Sequence, residues 1–486
     1  MTNPAALVNR VWNFAGVLRD AGVGYGDYAE QTTYLLFLKL DAENRAMHRP
    51  TRIPAEYQWE TLSGKSGDEL EAHYRHVLTG LSNQPGIIGT IFRKAQNKIG
   101  VPSLLERLVK LIDAEEWRAY SPDVKGDLYE GLLQRNAEDV KGGAGQYFTP
   151  RPLIDAMVRC VRPQPGQTIT DPACGTGGFL LGAYEYLSTT YSSSLDRDQK
   201  RHLTEGTFYG ADIVDSVVRL ATMNMYLHGL GGEHSPIQTM DSLATPPSEQ
   251  FDLVLANPPF GKKSSITVVT EAGDLEREGQ TYERPDFWAT TSNKQLNFLQ
   301  HIRTLLKIGG TAAVVVPDNV LFEGGAGETI RRKLLHSCNV HTLLRLPTGI
   351  FYAPGVKANV LFFERKPASE TPWTGRLWVY DLRTNKHFTL KANPMRAADL
   401  EDFVRCYQPE NIHQREESER FKAYDLADLL ARDKANLDLF WLKDDTLEDT
   451  ASLPAPDVLA AEISENLLAA LAEFNSIHAE LATDPS

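Results

Sequence analysis

From about residue 141 onward, short β-rich apolar runs alternate with longer stretches of helical periodicity, and no other feature constrains the fold as tightly. Gln167 to Asp171 reads as a strand, Gly178 to Tyr191 as a helix and Thr207 to Asp212 as a second strand. Val217, Leu220, Ala221 and Met225 mark one face of the next helix. Phe251 to Ala256 and Thr311 to Pro317 are runs apolar enough to be buried on both faces, and Val340 to Leu346 and Ala358 to Glu364 supply two more strands. Alternation of this kind predicts an α/β domain, a doubly wound, mainly parallel sheet covered by helices, with ligands bound at the carboxyl ends of the strands.

The flanking regions read differently. Residues 1 to 140 are expected to form a helical N-terminal domain. Val11, Phe14, Val17 and Leu18 recur at helical spacing, and helices are predicted over Tyr28–Leu40, Asp68–Leu81, Gly86–Ile99, Ser103–Ala114 and Ser121–Asn136, with a turn-rich interruption at Trp59–Asp68. The glycine stretch Lys141–Gly145 suits a boundary, and the sheet domain is placed at 141–385. Arg376 to Arg383 reads as its last strand. Residues 386–486 follow as polar, acidic helical segments ending in a helix over Pro456–Leu481. There Ile463, Leu467, Ala470, Phe474, Ile477 and Leu481 alternate four and three apart, either a short coiled-coil seam for a partner or an ordinary packed helix. Gly261 to Lys294 is a long polar insertion, expected to be a mobile segment over the site that orders on ligand binding.

Charge and cysteine usage narrow the function classes. No run approaches the ~18–20 apolar residues of a membrane span, and no signal peptide begins the chain, so a cytoplasmic protein without a membrane partner is expected. Cys160, Cys174, Cys338 and Cys406 form no C-x-x-C pair, and no metal-ligand cluster is evident. A net charge of −14 means that a nucleic-acid partner would need a local basic patch or a second protein carrying positive charge.

Four motifs fall at strand ends. Asp171-Pro172-Ala173-Cys174-Gly175-Thr176-Gly177-Gly178 opens into a helix; it is either a tight turn or a loop whose glycines admit a ligand to the backbone. The dinucleotide pattern is excluded, because its third glycine falls on Leu180, and the P-loop is excluded because Trp59 stands where the first glycine before Gly64-Lys65-Ser66 should be. Asp212 ends the next strand, as a ribose-hydroxyl acceptor or a cap for the helix that follows. Asp241 is a third acid at a strand end or a solvated loop residue. Asn257-Pro258-Pro259-Phe260 follows the apolar run Phe251–Ala256: two prolines stiffen the backbone and leave exposed carbonyls beside an amide and an aromatic ring, acceptors for an amino group and a face for a planar ring.

Asp171 to Leu180 followed by Asn257 to Phe260 resembles the cofactor and catalytic motifs of S-adenosylmethionine-dependent amino-methyltransferases. Gly145-Gln146-Tyr147-Phe148-Thr149-Pro150-Arg151-Pro152-Leu153 looks like the motif preceding the cofactor loop in N6-adenine DNA methyltransferases. Leu346 to Phe351 with Gly355 to Asn359 is similar to a late motif of that group, and the helical N-terminal third resembles that of modification subunits of type I restriction–modification systems. Two residues depart from the pattern: Asp212 where Glu is frequent, and Cys174 at a small-residue position.

The resemblance implies a Rossmann-like methyltransferase fold and a site-specific, adenine-specific DNA methyltransferase. Its target base would be flipped out of the duplex, and a separate specificity subunit would select the sequence. Two modification subunits would flank one specificity subunit, with a restriction subunit joining the complex, and host DNA would be protected from restriction. By motif position, Asn257, Pro258, Pro259 and Phe260 would be catalytic. Asp171 would lie near the methionine amine, Gly175, Thr176, Gly177 and Gly178 along the methionine, Asp212 at the ribose and Asp241 at the adenine amino group. Gln146, Tyr147, Phe148, Thr149, Pro150 and Arg151 would close over the methionine end. Two alternatives are weighed against this: a protein-glutamine or RNA-guanine methyltransferase, typically shorter and without the helical third, and a non-catalytic scaffold, disfavoured by the intact Asn257, Asp171 and glycine loop.

Overall fold

The computed structural model describes residues 25–48, 51–115, 149–260, 281–351, 356–390 and 392–443, the strands at 265–269 and 275–279, and the single positions 13 and 464. The expected helices at Val11–Leu18, Ser121–Asn136 and Pro456–Leu481 and the glycine boundary Lys141–Gly145 lie outside these residues.

The N-terminal helices are α1 (Tyr25–Ala46), α2 (Trp59–Ser63), α3 (Gly67–Ser82), α4 (Gly86–Ile91) and α5 (Pro102–Asp113). From Gln31 to Glu43 every residue of α1 is buried, so this helix is the centre of its unit and not a surface element. Two of its long polar side chains are paired: Lys39 Nζ reaches Asp113 Oδ1 at 2.9 Å and Tyr74 Oη donates to Gln31 Oε1 at 3.1 Å. Two expectations are corrected here. Trp59–Ser63 is helical, because burying Trp59 puts its indole N–H on Asp113 at 2.7 Å. The helix predicted to run to Ile99 stops at Ile91: Lys94 takes φ 58°, and Ile99 is buried from a loop in which Asn97 Oδ1 accepts its N–H.

The sheet contains β1 (Ile169–Asp171), β2 (Phe208–Asp212), β3 (Ile237–Thr239), β4 (Phe251–Ala256), β7 (Leu306–Pro317), β8 (Cys338–Arg345), β9 (Ala358–Arg365), β10 (Arg376–Asp381) and β11 (Phe421–Asp425). Its order is β11-β10-β8-β9-β7-β4-β1-β2-β3. Along the row β3-β2-β1-β4-β7 each pair is parallel, as is β8–β10; β9 pairs antiparallel with both β7 and β8, and β11 antiparallel with β10. Between β4 and β7, β5 (Ser265–Val269) and β6 (Leu275–Gly279) form a separate antiparallel pair within the insertion.

Both faces are covered, as the apolar runs predict. Leu253 and Leu255 of β4, with Ala313 and Val315 of β7, pack toward α6 (Arg151–Val161), α7 (Gly178–Tyr191) and Ala397–Tyr407. The alternate residues Val254, Ala256, Ala312 and Val314 pack toward α10 (Lys294–Leu305) and Ala326–Ser337. Helix α9 (Asp215–Leu227) joins the two units, with Val218, Ala221 and Met225 in the sheet core and Met223 and Leu227 in the N-terminal core. Strand β11 lies where only polar helix was expected. Of its five residues only Phe421 is buried, so this edge strand lacks the apolar run that signals a strand. The sheet therefore continues past residue 385.

Candidate active site

The four motifs emerge side by side. Strands β4, β1, β2 and β3 are consecutive neighbours, so Asn257, Asp171, Asp212 and the Asp241 loop follow one another along the carboxyl edge. Between β1 and β4 the chain order reverses, which is where an open α/β sheet forms a crevice.

The glycine loop is built by backbone geometry. Gly175 (φ 55°) and Gly177 (φ 86°) are left-handed, and Gly177 caps α7. A Cβ on Gly175 would meet nothing within 4 Å, so the loop faces open space while positive φ excludes most other residues. Cys174 N–H donates to Ala211 O at 2.9 Å, tying the loop to β2, and Asn224 Nδ2 of α9 donates to Thr176 O at 3.2 Å.

The acids occupy different environments. Asp171 is 1% exposed; burial pushes its carboxyl up to about 8, against the Ala173 N–H it accepts and with the nearby Asp212 charge adding to the rise. Asp212 is also raised by burial, although its oxygens accept N–H groups from Val214 (2.9 Å) and Gly175 (3.2 Å). It thus braces the glycine loop, whichever ligand it meets. Asp241 accepts Leu243 N–H at 2.9 Å and the Tyr282 hydroxyl at 3.1 Å. Ser242 Oγ donates to Pro172 O at 2.6 Å, joining the Asp241 loop to the glycine loop.

On the β4 side, Asn257 is 9% exposed and its Nδ2 donates to Thr149 Oγ1 at 2.9 Å. The segment expected to close over the cofactor therefore also orients the Asn257 amide. Gln295 Nε2, in the first turn of α10, donates to Pro259 O at 3.1 Å. Phe260 is buried, with Phe351 edge-on at 5.9 Å between centroids and 81° between planes. Arg151 lies on α6 and pairs with Glu185, and Pro150 precedes that helix; Gln146, Tyr147 and Phe148 lie outside the described residues.

The late motif carrying Phe351 is held from below. Arg383 places Nη1 and Nη2 on the two Asp318 oxygens at 2.7 and 2.8 Å and donates from Nε to Leu346 O at 2.8 Å, while Asn359 Nδ2 donates to Asp318 at 2.8 Å. Burial disfavours the Asp318 charge, but the Arg383 contacts outweigh it and hold its carboxyl below the ordinary value. Gly349, at φ 79°, passes so close to the backbone that a Cβ would sit 1.9 Å from Phe388 O.

Residues 120–439 match the model of the N-6 DNA methylase family, and residues 7–114 match that of the HsdM N-terminal domain. The chain belongs to the N-6 DNA methylase family. Its relatives include the type I restriction enzyme StySJI methylase subunit of Salmonella typhimurium, 38% identical over 98% of this chain and 95% of the relative. The EcoKI methylase subunit of Escherichia coli is 37% identical over the same shares. Among solved structures, the EcoKI M protein (EC 2.1.1.72) aligns over 98% of this chain and 96% of its own, with TM-score 0.55 and 33% identity. A modification subunit of a type I restriction enzyme from Vibrio vulnificus aligns over 88% and 94%, with TM-score 0.72 and 27% identity.

In this N-6 DNA methylase, several side chains at the site carry no motif of their own. Gln295, Asn224 and Tyr282 hold the loops through hydrogen bonds across large sequence separations, and spacing rules carry no signal for such contacts. Thr149 was legible as a motif member, but its bond to Asn257 was not. Among the described residues no group of three or more His, Cys, Asp or Glu side chains is placed to hold a metal ion, and no helix is long and apolar enough to cross a membrane.

Proposed function

We propose that this methylase binds S-adenosylmethionine over the ends of β1, β2 and β3 and methylates N6 of an adenine flipped into the crevice beside β4. The observation that carries this is the juxtaposition on two hydrogen-bonded parallel strands: the open glycine loop with buried Asp171 on β1, and the oriented Asn257 amide on β4. Neighbouring strands lie about 4.8 Å apart, so ligands seated over the ends of β1 and β4 are themselves neighbours.

The donor set fits the cofactor. Asp171 offers a buried carboxyl to the methionine ammonium, Gly175 to Gly178 a backbone surface without side chains, Asp212 an acceptor for ribose hydroxyls and Asp241 an acceptor for the adenine amino group. Thr149, Pro150 and Arg151, with Gln146 to Phe148, border the methionine end. The bound cofactor supplies an electrophilic methyl on a sulfonium.

The chain's residues then do the rest by positioning and electrostatics. An adenine amino lone pair is delocalised into the ring and attacks poorly. The Asn257 oxygen and the Pro258 carbonyl accept its two hydrogens, draw the nitrogen toward tetrahedral geometry and hold the proton released after transfer until water takes it. Pro258 and Pro259 keep that backbone rigid, and Phe260, supported by Phe351, packs against the flipped base. Extruding the base costs a few kcal/mol, which DNA contacts must offset.

Those contacts come mainly from a partner. With a net charge of −14 the chain lacks a bulk positive field, and a cytoplasmic complex of two modification subunits around one specificity subunit, joined by a restriction subunit, completes the DNA channel. Residues 1–140 are assigned to the helical unit, 141–385 to the chemistry, and 386–486, which supply the edge strand, to specificity-subunit docking. Tritiated methyl transfer into DNA, with and without the co-expressed specificity subunit, tests the proposal. Incorporation at adenine N6 only in the complex is expected; no incorporation in the complex would overturn it.

A further inference from the structure

The insertion between Phe260 and Lys294 leaves from the base side of the crevice, yet its returning limb, residues 281–289, is fastened to the cofactor side. Tyr282 Oη donates to Asp241 Oδ2 at 3.1 Å, while Asp241 Oδ1 is held by Leu243 N–H at 2.9 Å. Two residues on, Arg284 is 7% exposed and lies under the same loop. Its Nη1 faces the carbonyls of Ser242 and Leu243 at 3.3 and 3.4 Å and His301 Nδ1 at 3.1 Å, and its Nε and Nη2 are fixed by Asp286 at 3.0 and 2.6 Å. Burial, aided by the Arg284 charge, pushes His301 down to about 3, so its ring stays neutral and accepts from the guanidinium. The Phe287 ring lies 4.2 Å from the guanidinium carbon. A buried arginine with this many partners has one arrangement, and it fixes the height of the Ser242–Leu243 backbone beside the sheet edge.

The consequence falls on the Asp241 carboxylate. A loop carboxylate held only by its own Asx-type bond to Leu243 N–H is free to rotate its second oxygen; here the Tyr282 hydroxyl takes one lone pair of that oxygen and sets the carboxylate plane. We infer that Tyr282 is a positioning residue for the purine of the methyl donor, acting through Asp241, and that Arg284 holds the loop on which the pair sits. This deepens the proposed function, since it rests on Asp241 as the acceptor for the cofactor's adenine amino group. Through Ser242 Oγ on Pro172 O, the same limb also braces the start of the glycine loop, so one segment of the insertion supports both ends of the cofactor site.

Tyr282→Phe removes one hydroxyl and leaves the ring, so folding is preserved and is checked by thermal melting. The test measures equilibrium binding, in the complex with the specificity subunit, of S-adenosylmethionine and of its deaminated analogue carrying hypoxanthine in place of adenine. The wild-type complex is expected to prefer the adenine form. Tyr282→Phe should weaken that form about three- to tenfold, leave the hypoxanthine form unchanged and leave kcat at saturating donor within about twofold. Unchanged affinity for S-adenosylmethionine, or an equal loss for both forms, would overturn the inference and reduce Tyr282 to a packing residue. A wild-type complex that binds both forms equally would overturn the role given to Asp241, and this inference with it, while methyl transfer to DNA would still stand.

Discussion

Cofactor binding should release a proton below pH 8, and Asp171 should be its source. Burial raises the Asp171 carboxyl to about 8, so at pH 7 roughly ten protonated molecules exist for each ionised one. Pairing with the methionine ammonium requires the ionised form. Affinity should therefore climb about tenfold per pH unit at low pH, at 1.36 kcal/mol per unit, and about twentyfold from pH 6 to pH 8, because the amine, with an ordinary α-amino value of about 7.7–8.0, is losing its own proton over the last unit. Above pH 8 affinity turns down and binding takes up protons instead. Titration calorimetry at pH 7 in buffers of different ionisation enthalpy should read about 0.8 proton released, falling through zero near pH 8.

Asp171→Asn is the control. Asp212 is also raised by burial, and only this substitution separates the two carboxyls. The variant should bind more weakly at pH 8, and its affinity should lose most of the slope between pH 6 and pH 8. The free protein gives the matching sign. A carboxyl raised on folding contributes stability fully present below its unfolded value near 4 and lost as pH rises through about 8, so Asp171→Asn should flatten the decline in melting temperature over that window. Wild-type binding without proton release at pH 7, or the same release from Asp171→Asn, would refute the placement of the ammonium on Asp171.

Three further outcomes are expected. Asn257→Ala should abolish methyl transfer while leaving cofactor affinity within a few-fold in calorimetry, because the amide meets the target base; full activity would remove Asn257 from the chemistry. Asp212→Ala should weaken cofactor binding about tenfold to a hundredfold, as for a lost charge-assisted bond of ~1.5–3 kcal/mol; wild-type affinity would leave Asp212 as only the brace for Gly175 and Val214. Gly349→Ala should destabilise the fold by at least about 1–3 kcal/mol, since positive φ and a Cβ 1.9 Å from Phe388 O oppose it; an unchanged melting temperature would mean the late-motif turn has room to shift.

Most of the sheet was legible because buried parallel strands are written as continuous apolar runs. Phe251–Ala256 matches its strand end to end, and the helix Gly178–Tyr191 matches as well, between its glycine cap and the serine-rich turn. Weak signals failed where burial is partial. Strand β11 buries one residue in five, and the Trp59 turn becomes helical through a tertiary contact with Asp113. At the site, the residues that stand at strand ends could be read from the chain. Residues that act through another residue could not. Thr149 and Asn257 are 108 positions apart and Ser242 and Pro172 are 70, and no local periodicity relates them.

The sheet order gives the proposed reaction its direction. Read across the edge, β4, β1, β2 and β3 present Asn257, then Asp171 with the glycine loop, then Asp212, then the Asp241 loop. Three strand spacings of about 4.8 Å set the outer two roughly 14 Å apart. A ligand laid along that edge has its amino-acid end beside β4 and its purine end beside β3, so its reactive centre faces the Asn257 crevice and its far end is pinned. Reversing the ligand would put a purine against buried Asp171 and an ammonium among Asp212, Asp241 and the Tyr282 hydroxyl, exchanging a fully buried carboxyl for partly exposed ones. The dry carboxyl at β1 selects the cation, because ion pairing gains most where water is excluded. The burial that makes Asp171 costly in the free protein is thus what orients the donor toward the base.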